Sequence, residues 1–519
     1  MNIPRAHIIW IDDEIDHLKP HIISLRDKGY EVTPVSNGWE GVETIQQKNF
    51  DLVLLDHFMP GMDGIETLRK IKEIKPGIPV VMITKSEEEW LMDEAISEQV
   101  AEYLIKPVNP TQIFSTCKRV LEKSQIIDEK TTGDYLKEFQ SIENTLQKSL
   151  SIDDWWNLYN KLVNWQITFD NQRKPELEGI LDEQIQTCNR EFVHFIEKEY
   201  PNWVRSENRP ILSPDIIPQF CIPNLRNNQK LCLFVLDCLR YDHLLTIVPD
   251  LNDHFDINMN YAVSILPTAT PFARNAIFSG LFPDTLFDEN HEQKTIVENH
   301  APHQNKFEEE FLLDLLKKHS LADKKVHYHK IWKVEEGQKF YNRISDYFNN
   351  DLIAVVINFI DLLAHKRSES DVIKEMVPDE AGYRQAVQNW FENSWFFDCL
   401  RELAETDYQI IITSDHGSVR VQKSVMVAAD KSASTGVRYK FGRNLNCSEK
   451  NALVIKEPKQ YKLPELGPQA SYLIAKNDSY FVYPNQAHKY EEQYSDSFQH
   501  GGISMEEMLI PVATLRGKK

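Results

Sequence analysis

Carboxylates and imidazoles recur in this sequence where apolar runs end. Three runs end at a carboxylate, and two of these carboxylates are followed by an imidazole: Asp237, Asp361 with His365, and Asp415 with His416. Asp and His side chains together suit Zn²⁺ or Mn²⁺ better than Ca²⁺, which prefers oxygen ligands alone. The residue types therefore predict a transition-metal site, to which His500 adds a further imidazole.

Residues 266–282 predict a short helix whose first turn suits an anion. Thr270 fits the N-cap, Pro271 the first helical position and Gly280 the stop. Unpaired N–H groups and partial positive charge at a helix start attract phosphate, and the Thr270 hydroxyl would lie there. The same pattern also fits a capped surface helix without chemistry, and this stretch alone does not decide between the two.

The elements that must position these residues are the apolar runs themselves. Residues 231–237, 352–361 and 408–415 are nearly continuous in β-branched and aliphatic side chains. Such runs predict strands buried on both faces, as in a parallel sheet. Open α/β sheets bind ligands beyond the carboxyl ends of their strands, so three strands ending in Asp would gather carboxylates at one edge.

The first 122 residues alternate apolar strands with helical segments, which predicts a second parallel, doubly wound sheet. The expected strands are His7–Ile11, Asp51–Leu55, Pro79–Ile83 and Glu102–Lys106. Asp12, Asp13 and Asp56 would converge at one edge of this sheet and offer oxygen ligands to Mg²⁺. Thr84 and Lys106 could then donate to a phosphoryl group.

This segment resembles a flavodoxin-like response-regulator receiver domain. The resemblance rests on Asp12-Asp13, the stretch from Asp56 to Gly64, Thr84 and Lys106-Pro107. It implies that Asp56 accepts phosphate from a sensor histidine kinase, that Lys106-Pro107 is a cis peptide and that Tyr103 is the switch aromatic. It also implies that phosphorylation promotes a receiver–receiver homodimer.

Residues 123–225 change to helical periodicity with aromatic residues spaced by three and four. We expect a three-helix bundle, with Ser151–Asp154 starting its second helix and Pro175 its third. The tryptophans fit a core, and a role as transmitter or dimer face is the alternative. Prolines at 210, 214, 218 and 223 predict an extended, exposed linker.

Residues 226–519 resemble the alkaline phosphatase superfamily, in its PglZ-type branch. The order Asp237, Thr270, Asp361-x-x-x-His365, Asp415-His416-Gly417 and His500 carries the resemblance. It implies an α/β domain with two zinc ions, one held by Asp361, His365 and His500, and the other by Asp237, Asp415, His416 and the Thr270 oxygen. It further implies that Thr270 is the nucleophile, through a phospho-threonine, and that the substrate is a phosphodiester.

Two other stretches of this region could bear on the substrate. The cluster Arg438, Lys440 and Arg443 could hold substrate phosphates, or it could be a plain exposed hairpin. An insertion of about fifty residues before Asp415 contains an aromatic run from Trp390 to Phe397, which fits helix core better than base stacking.

The order receiver, helical bundle, PglZ-type domain resembles PorX-type response regulators, which are linked to type IX secretion in Bacteroidetes. That resemblance implies a sigma factor as partner and zinc-dependent hydrolysis of oligonucleotides, including cyclic ones. The alternative is a non-enzymatic signalling adaptor in which the metals only shape a binding surface. All seven ligand positions are filled, which favours the enzyme.

The composition of the chain excludes some classes of function and location. A net charge of −21 lacks the basic excess of a duplex-binding domain, which argues against a transcription factor. The seven cysteines contain no Cys-x-x-Cys pair and predict reduced thiols in a cytoplasmic protein. No run approaches 18 apolar residues, so no membrane insertion is expected.

Overall fold

A computed structural model describes residues 5–85, 100–172, 174–298, 305–428, 434, 436–467 and 469–518, with the backbone alone over residues 122–129. The chain divides into two units. One comprises Met1–Glu143 with Thr168–Leu177, and the other comprises Asn144–Ile167 with Glu178–Lys519.

The first unit is built on a five-stranded parallel sheet in the order β2-β1-β3-β4-β5. Its strands are β1 (His7–Ile11), β2 (Glu31–Val35), β3 (Leu52–Asp56), β4 (Val80–Thr84) and β5 (Glu102–Ile105). The helices between them are α1 (Lys19–Asp27), α2 (Gly38–Gln47) and α3 (Gly64–Ile74), with a 3₁₀ turn at Ile15–Leu18. The flavodoxin-like fold expected of this segment is confirmed.

The strands of this sheet are apolar on both faces because helices cover both. Ile8 and Leu54 pack into the core on one face, whereas Ile9 and Val53 pack into the core on the other. This two-sided burial explains the near-continuous apolar runs, which allowed the strands to be predicted from sequence. The Lys106-Pro107 peptide is cis, as expected.

Three long helices follow, namely α4 (Pro110–Leu146), α5 (Ile152–Gln172) and α6 (Pro175–Trp203). The start of α5 has the predicted cap, because the Ser151 amide donates to Asp154 Oδ2 and the Asp154 amide donates to Ser151 Oγ. Trp155 is buried, in agreement with a core role.

The prediction of an extended, exposed linker in the proline-rich segment is wrong. The segment folds as a 3₁₀ turn at Ser213–Asp215, a π-helical turn at Ile217–Cys221 and helix α7 (Ile222–Arg226). Ile216 and Cys221 are fully buried. Prolines fit at the first positions of short helices, where no intrahelical N–H is needed, so they do not require an extended chain.

The second unit contains a six-stranded sheet in the order β7-β18-β10-β6-β9-β8. Its strands are β6 (Leu231–Leu236), β7 (Phe255–Val263), β8 (Val326–Ile331), β9 (Leu352–Ile357), β10 (Gln409–Thr413) and β18 (Leu509–Gly517). The four strands β10, β6, β9 and β8 are mutually parallel, and β18 runs antiparallel to β10 and β7.

Helices and short strands surround this sheet. The helices are α8 (Tyr241–Asn252), α9 (Thr270–Ser279), α10 (Pro283–Glu289), α11 (His291–Glu298), α12 (Glu308–Lys318), α13 (Val334–Tyr341), α14 (Phe359–Arg367), α15 (Asp371–Met376), α16 (Glu380–Glu392), α17 (Trp395–Ala404), α18 (Ala487–Tyr494) and α19 (Met505–Met508). The short strands are β11 (Val419–Arg420), β12 (Lys423–Met426), β13 (Tyr439–Gly442), β14 (Ala452–Ile455), β15 (Ser471–Ala475), β16 (Ser479–Val482) and β17 (Phe498–Gln499).

The parallel strands bring the predicted acids to one edge. Asp237 directly follows β6, and Asp415 lies two residues beyond β10. Asp361, by contrast, does not end its strand, because β9 stops at Ile357 and Asp361 lies in the first turn of α14. The aromatic run of the insertion is helix core as expected, with Phe396 fully buried.

Among the described residues, none of the helices combines the length and the apolar character that crossing a membrane requires.

Candidate functional site

Thr270 lies at the start of α9 with its hydroxyl facing other candidate ligands. Its Oγ1 is 3.0 Å from His416 Nε2 and 3.5 Å from Asp237 Oδ1. The predicted N-cap role is wrong, since Ala269 occupies the N-cap and no side chain caps the helix. Gly280 ends α9 in the left-handed region (φ 65°), as expected of a stop. The hydroxyl is therefore directed into the site instead of being used to cap the helix.

The first turn of α9 offers fewer amides to an anion than a generic helix start. Pro271 has no N–H, and the amides of Phe272 and Ala273 both donate to the Ala269 carbonyl. The Thr270 carbonyl accepts a hydrogen bond from Asn305 Nδ2 at 3.1 Å, which fixes the turn. The sequence suggested that several first-turn amides would bind an anion here. In the structure, an anion would depend mainly on cations and on the Thr270 amide.

One candidate metal site consists of Asp237, Asp415 and His416, whose ligand atoms lie within 4.8 Å of one another. His416 Nε2 is 3.7 Å from both Asp237 Oδ1 and Asp415 Oδ2. The other ring nitrogen, Nδ1, lies 3.1 Å from the Gly417 carbonyl and therefore carries the proton. This tautomer directs the Nε2 lone pair at the carboxylates, which is the arrangement of a metal-binding histidine.

The second candidate site consists of Asp361, His365 and His500, again with ligand atoms within 4.8 Å. Asp361 and His365 face each other because they are four residues apart on α14 (3.4 Å, Nε2 to Oδ1). His500 Nε2 lies 3.5 Å from the same Asp361 oxygen, and its Nδ1 faces the Thr268 carbonyl at 3.3 Å. His500 therefore has the same tautomer as His416, with the proton on Nδ1 and the lone pair of Nε2 directed at a carboxylate.

The two sites adjoin each other, since the His416 and His500 rings stack with centroids 4.2 Å apart. Burial, followed by repulsion from Asp415, raises the pKa of Asp237 to about 7. Burial likewise raises the pKa of Asp415 to about 6 and lowers the pKa of His500 to about 3. A bound cation would relieve the shifts of the two carboxylates by supplying the opposite charge, and it would bind the His500 imidazole in the neutral form that burial already favours.

These residues fit divalent metal ions. Asp415 Oδ2 is buried and accepts no hydrogen bond from any residue that the structure describes. Two imidazole lone pairs face carboxylates at 3.5–3.7 Å, an arrangement that is repulsive without a cation between them. Three carboxylates with three imidazoles suit zinc better than calcium or magnesium. All seven residues predicted as ligands are brought together at this edge of the sheet.

Arg274 is a part of the site that the sequence did not reveal. It is fully buried, one helical turn after Thr270, and its Nη1 lies 2.5 Å from Asp237 Oδ2. The same nitrogen donates to Asn358 Oδ1, and Nε donates to Glu308 Oε1. Arg274 therefore holds the second oxygen of Asp237 in place. The one signal available was its i+4 spacing from Thr270, which places both side chains on one helix face.

Arg438 does not lie where a substrate phosphate could reach it, contrary to prediction. It is fully buried, and its Nε and Nη2 donate to the two carboxylate oxygens of Glu507. Glu507 also accepts from the Gly502 amide, and the Gly502 carbonyl accepts from Thr268 Oγ1. Arg438 thus supports the loop that carries His500.

The other two members of the basic cluster differ from each other. Lys440 is also buried, with Nζ donating to the Ser434 carbonyl and lying 4.8 Å from the centroid of the Tyr483 ring, so it too is unavailable to substrate. Arg443 is exposed. The predicted phosphate-binding cluster therefore does not form a single surface, and only Arg443 keeps the position that such a role requires.

The first unit has its own acidic site at Asp12, Asp13 and Asp56, with ligand atoms within 4.8 Å. Lys106 Nζ pairs with Asp12 Oδ2 at 2.9 Å and with Asp56 Oδ1 at 3.0 Å. Burial, followed by the charge of Asp12, raises the pKa of Asp56 to about 6, although Lys106 opposes the shift. The carboxylates suit Mg²⁺, and the role of Asp56 as the phosphoryl acceptor stays a prediction.

The remaining predicted receiver residues lie beside this site. Thr84 is the last residue of β4 and is fully buried. Tyr103 lies on the neighbouring strand β5, is half-buried and packs against the core beneath the sheet. Their roles as switch residues stay predictions.

Comparisons with known proteins match these regions. The family described as the BREX system PglZ alkaline phosphatase-like domain matches residues 217–515. The response regulator receiver domain matches residues 8–118, and the PorX response regulator linker domain matches residues 125–204. The domain limits predicted from sequence were 1–122, 123–225 and 226–519, and they stay predictions.

Relatives among curated proteins match the receiver region. The transcriptional regulatory protein ZraR of Escherichia coli O157:H7 is 35% identical over 131 residues, covering 25% of this chain and 30% of ZraR. ResD of Bacillus subtilis is 32% identical over 120 residues, covering 23% of this chain and 50% of ResD. The chain thus spans half or less of the length of these relatives. Among solved structures, the chemotaxis protein CheY4 of Vibrio cholerae is 29% identical, covering 22% of this chain and 98% of its own, with a TM-score of 0.22.

The fold and the sites define a response regulator whose output region is an alkaline-phosphatase-like domain. The chain belongs to the PglZ alkaline phosphatase-like family, and its three matched segments have the order of PorX-type response regulators.

Proposed function

We propose that this protein is a two-component response regulator whose output domain is a zinc-dependent phosphodiesterase acting on oligonucleotides, including cyclic ones. The observation that carries the proposal is the Thr270 hydroxyl, which lies 3.0 Å from His416 Nε2 and beside Asp237. A hydroxyl beside one Asp/His site, with a second Asp/His site adjoining it, has the geometry needed for displacement at phosphorus.

Two zinc ions, one held by Asp361, His365 and His500 and the other by Asp237, Asp415, His416 and the Thr270 oxygen, would stabilise charge on the phosphate and lower the pKa of the Thr270 hydroxyl. Thr270 Oγ1 attacks phosphorus and the ester oxygen opposite it leaves, which transfers the remaining nucleotide to Thr270. Water then cleaves the Thr270–phosphorus bond. Asn305 and Arg274 position Thr270 and Asp237 throughout.

The receiver supplies the regulation in this proposal. A sensor histidine kinase transfers phosphate to Asp56, with Mg²⁺ held by Asp12, Asp13 and Asp56. Thr84 and Lys106 donate to the new phosphoryl oxygens, and Tyr103 turns inward. Phosphorylated receivers then pair into a homodimer. The support for this part is the receiver match together with the Lys106 geometry at Asp56.

The cellular setting rests on the PorX linker match. It supports a cytoplasmic role in regulating type IX secretion, with a sigma factor as partner. The test is a reporter of secretion in cells that carry Asp56→Ala in place of the wild type. Unchanged secretion would remove this part of the proposal.

The direct test of the enzyme is metal analysis combined with turnover. Protein expressed with zinc should contain up to two zinc ions per chain and should hydrolyse linear and cyclic oligonucleotides. Zinc without hydrolysis of any diester would favour the signalling adaptor. Absence of zinc after supplemented expression would contradict the metal assignment.

Phosphorylation is tested on the same samples by adding beryllofluoride or acetyl phosphate. We expect a larger dimer fraction in sedimentation and faster oligonucleotide turnover in the wild type, with Asp56→Ala unresponsive to both. Asp27→Ala removes a receiver carboxylate that is exposed and lies outside the acidic site, and it is the control. Activation of a protein that stays monomeric would remove the dimer step alone.

A further inference from the structure

Trp332 is a large aromatic side chain left half in solvent (48% exposed) at the end of β8. Strand β8 pairs in parallel with β9, and Ile331 lies opposite Ile357 at their carboxyl ends. The chain after Ile357 carries Asp361 three residues into α14. Trp332 therefore lies at the same edge of the sheet as the candidate metal ligands.

The face of the sheet to which Trp332 belongs is fixed by its neighbours on the strand. Side chains two residues apart on a strand share a face, so Tyr328 and Lys330 form one row. Trp332 lies one residue beyond the strand, and its ring lies against Lys330 Nζ on the same side. The Tyr328 hydroxyl and Lys330 Nζ both donate to Glu308, which binds Arg274 of α9. Trp332 thus lies on the face covered by α9, whose first residue is Thr270.

A short series of contacts joins the indole to the candidate nucleophile. Lys330 Nζ lies 5.5 Å from the centroid of the Trp332 ring and donates to the Asn305 carbonyl at 3.1 Å. Asn305 Nδ2 in turn donates to the Thr270 carbonyl. The Trp332 amide donates to Glu336 Oε2 at 2.8 Å, which fixes the backbone. The indole is therefore held in place, with an ammonium over the ring and about half of its surface open.

We propose that Trp332 stacks on a nucleobase of the oligonucleotide whose phosphodiester is attacked at Thr270. An open aromatic ring accepts any base, because every base has a π-face. This inference rests on the proposed diesterase and adds its selectivity. The enzyme distinguishes base-bearing polymers from bare phosphodiesters at a position outside the metal ligands.

The test compares an oligonucleotide with an abasic sugar–phosphate chain of the same length. We expect Trp332→Ala to lower kcat/KM about 10- to 100-fold on the oligonucleotide, the effect of losing one stacked base, and to leave the abasic chain unaffected. Trp332→Phe should retain most of the selectivity. Trp39→Ala removes another exposed tryptophan with a lysine over its ring, this one in the receiver. It should leave kcat/KM unchanged on both substrates.

Equal losses on both substrates, or no loss on either, would overturn the inference while leaving the diesterase intact. A binding measurement separates the two proposals further. In the Thr270→Ala background, Trp332→Ala should weaken oligonucleotide affinity about 10- to 100-fold, whether or not the wild type turns over. If the wild type hydrolyses no diester but this affinity difference is present, the diesterase fails and the stacking site stands. Unchanged affinity in this background would exclude stacking at Trp332.

Discussion

Two sites in this chain gather acids at the carboxyl edge of a parallel sheet, and they differ in what accompanies the acids. In the receiver, Asp12 and Asp56 are joined by a lysine, Lys106, at 2.9 and 3.0 Å. In the output domain, Asp237, Asp361 and Asp415 are joined by three imidazoles. In the proposed function the nucleophile also differs, since it would be a carboxylate in one site and a hydroxyl in the other.

The difference in composition explains why the receiver site suits a phosphorylation switch and why the output site suits the proposed hydrolysis. An acid–lysine site suits Mg²⁺ and forms an acyl phosphate that a lysine and a threonine can hold. Imidazoles add affinity for zinc, whose Lewis acidity can make a threonine hydroxyl a nucleophile. In the proposed function, the same edge geometry therefore serves signalling in one domain and hydrolysis in the other.

Zinc removal should separate the two sites most sharply. A zinc-selective chelator should reduce diester turnover about 1,000-fold or more, because several kcal/mol of charge stabilisation is lost. Labelling of Asp56 by acetyl phosphate in Mg²⁺ should continue. Restored turnover on adding zinc back is the control, and loss of Asp56 labelling in parallel would contradict the distinction.

Thr270→Ala should have a comparable effect on turnover without disturbing either metal site's acids. We expect a loss of about 1,000-fold or more, as for other nucleophile deletions, with zinc content retained. The free energy of unfolding should change by less than a lost cap would cost (~1 kcal/mol), since no side chain caps α9. Thr295→Ala, at an exposed helical threonine, is the matched control. Near-normal turnover of Thr270→Ala would exclude it as the nucleophile.

Arg438→Met tests a cation that supports the output site from outside, by holding Glu507, whereas the receiver lysine, Lys106, pairs with the site's own acids. It leaves Glu507 buried without its guanidinium, so we expect about 3–5 kcal/mol of destabilisation in urea unfolding. Arg443→Met, from the same sequence cluster but exposed, should be neutral in stability. Equal stability of the two variants, with a raised KM for oligonucleotides in Arg438→Met, would restore the phosphate-binding role predicted from sequence.

The smallest effect is expected from Lys440, whose pKa burial lowers to about 8. In the unfolded chain this lysine holds its proton up to its usual range near 10.4, so between pH 8 and 10 the unfolded state binds more protons. Stability should therefore rise through that window relative to Lys440→Met, by roughly 1–2 kcal/mol, and be flat below it. Urea unfolding at several pH values measures the difference, and parallel pH profiles would show that the ammonium is not desolvated.

The receiver was largely predictable from sequence because its chemistry is local to strand ends. Strands buried on both faces are continuous apolar runs, and Asp12 and Asp56 lie at or next to the end of their strands. The output-domain ligands were found by type and order, although they span residues 237–500. The strand before Asp361 was predicted to extend to that residue, four residues beyond its observed end at Ile357. The error arose because the apolar run passes from β9 into α14 without a break in hydrophobicity.

Other features depend on tertiary contacts that no local pattern encodes. Arg274 became part of the site only when Glu308 and Asp237 met it in the fold. Arg438 looked like a surface cation because its partner Glu507 is sixty-nine residues away along the chain. The prolines after Trp203 suggested an open linker, yet Pro214, Pro218 and Pro223 fit short helices with buried apolar residues.

The stereochemical course at phosphorus tests the central claim most directly. A chiral phosphorothioate diester hydrolysed by way of Thr270 in ¹⁸O-labelled water undergoes two in-line displacements, first by the hydroxyl and then by water, and the label makes the product phosphorus chiral. The account predicts net retention of configuration in the product. Net inversion would show that water attacks phosphorus in a single step, and the assignment of Thr270 as the nucleophile would be wrong.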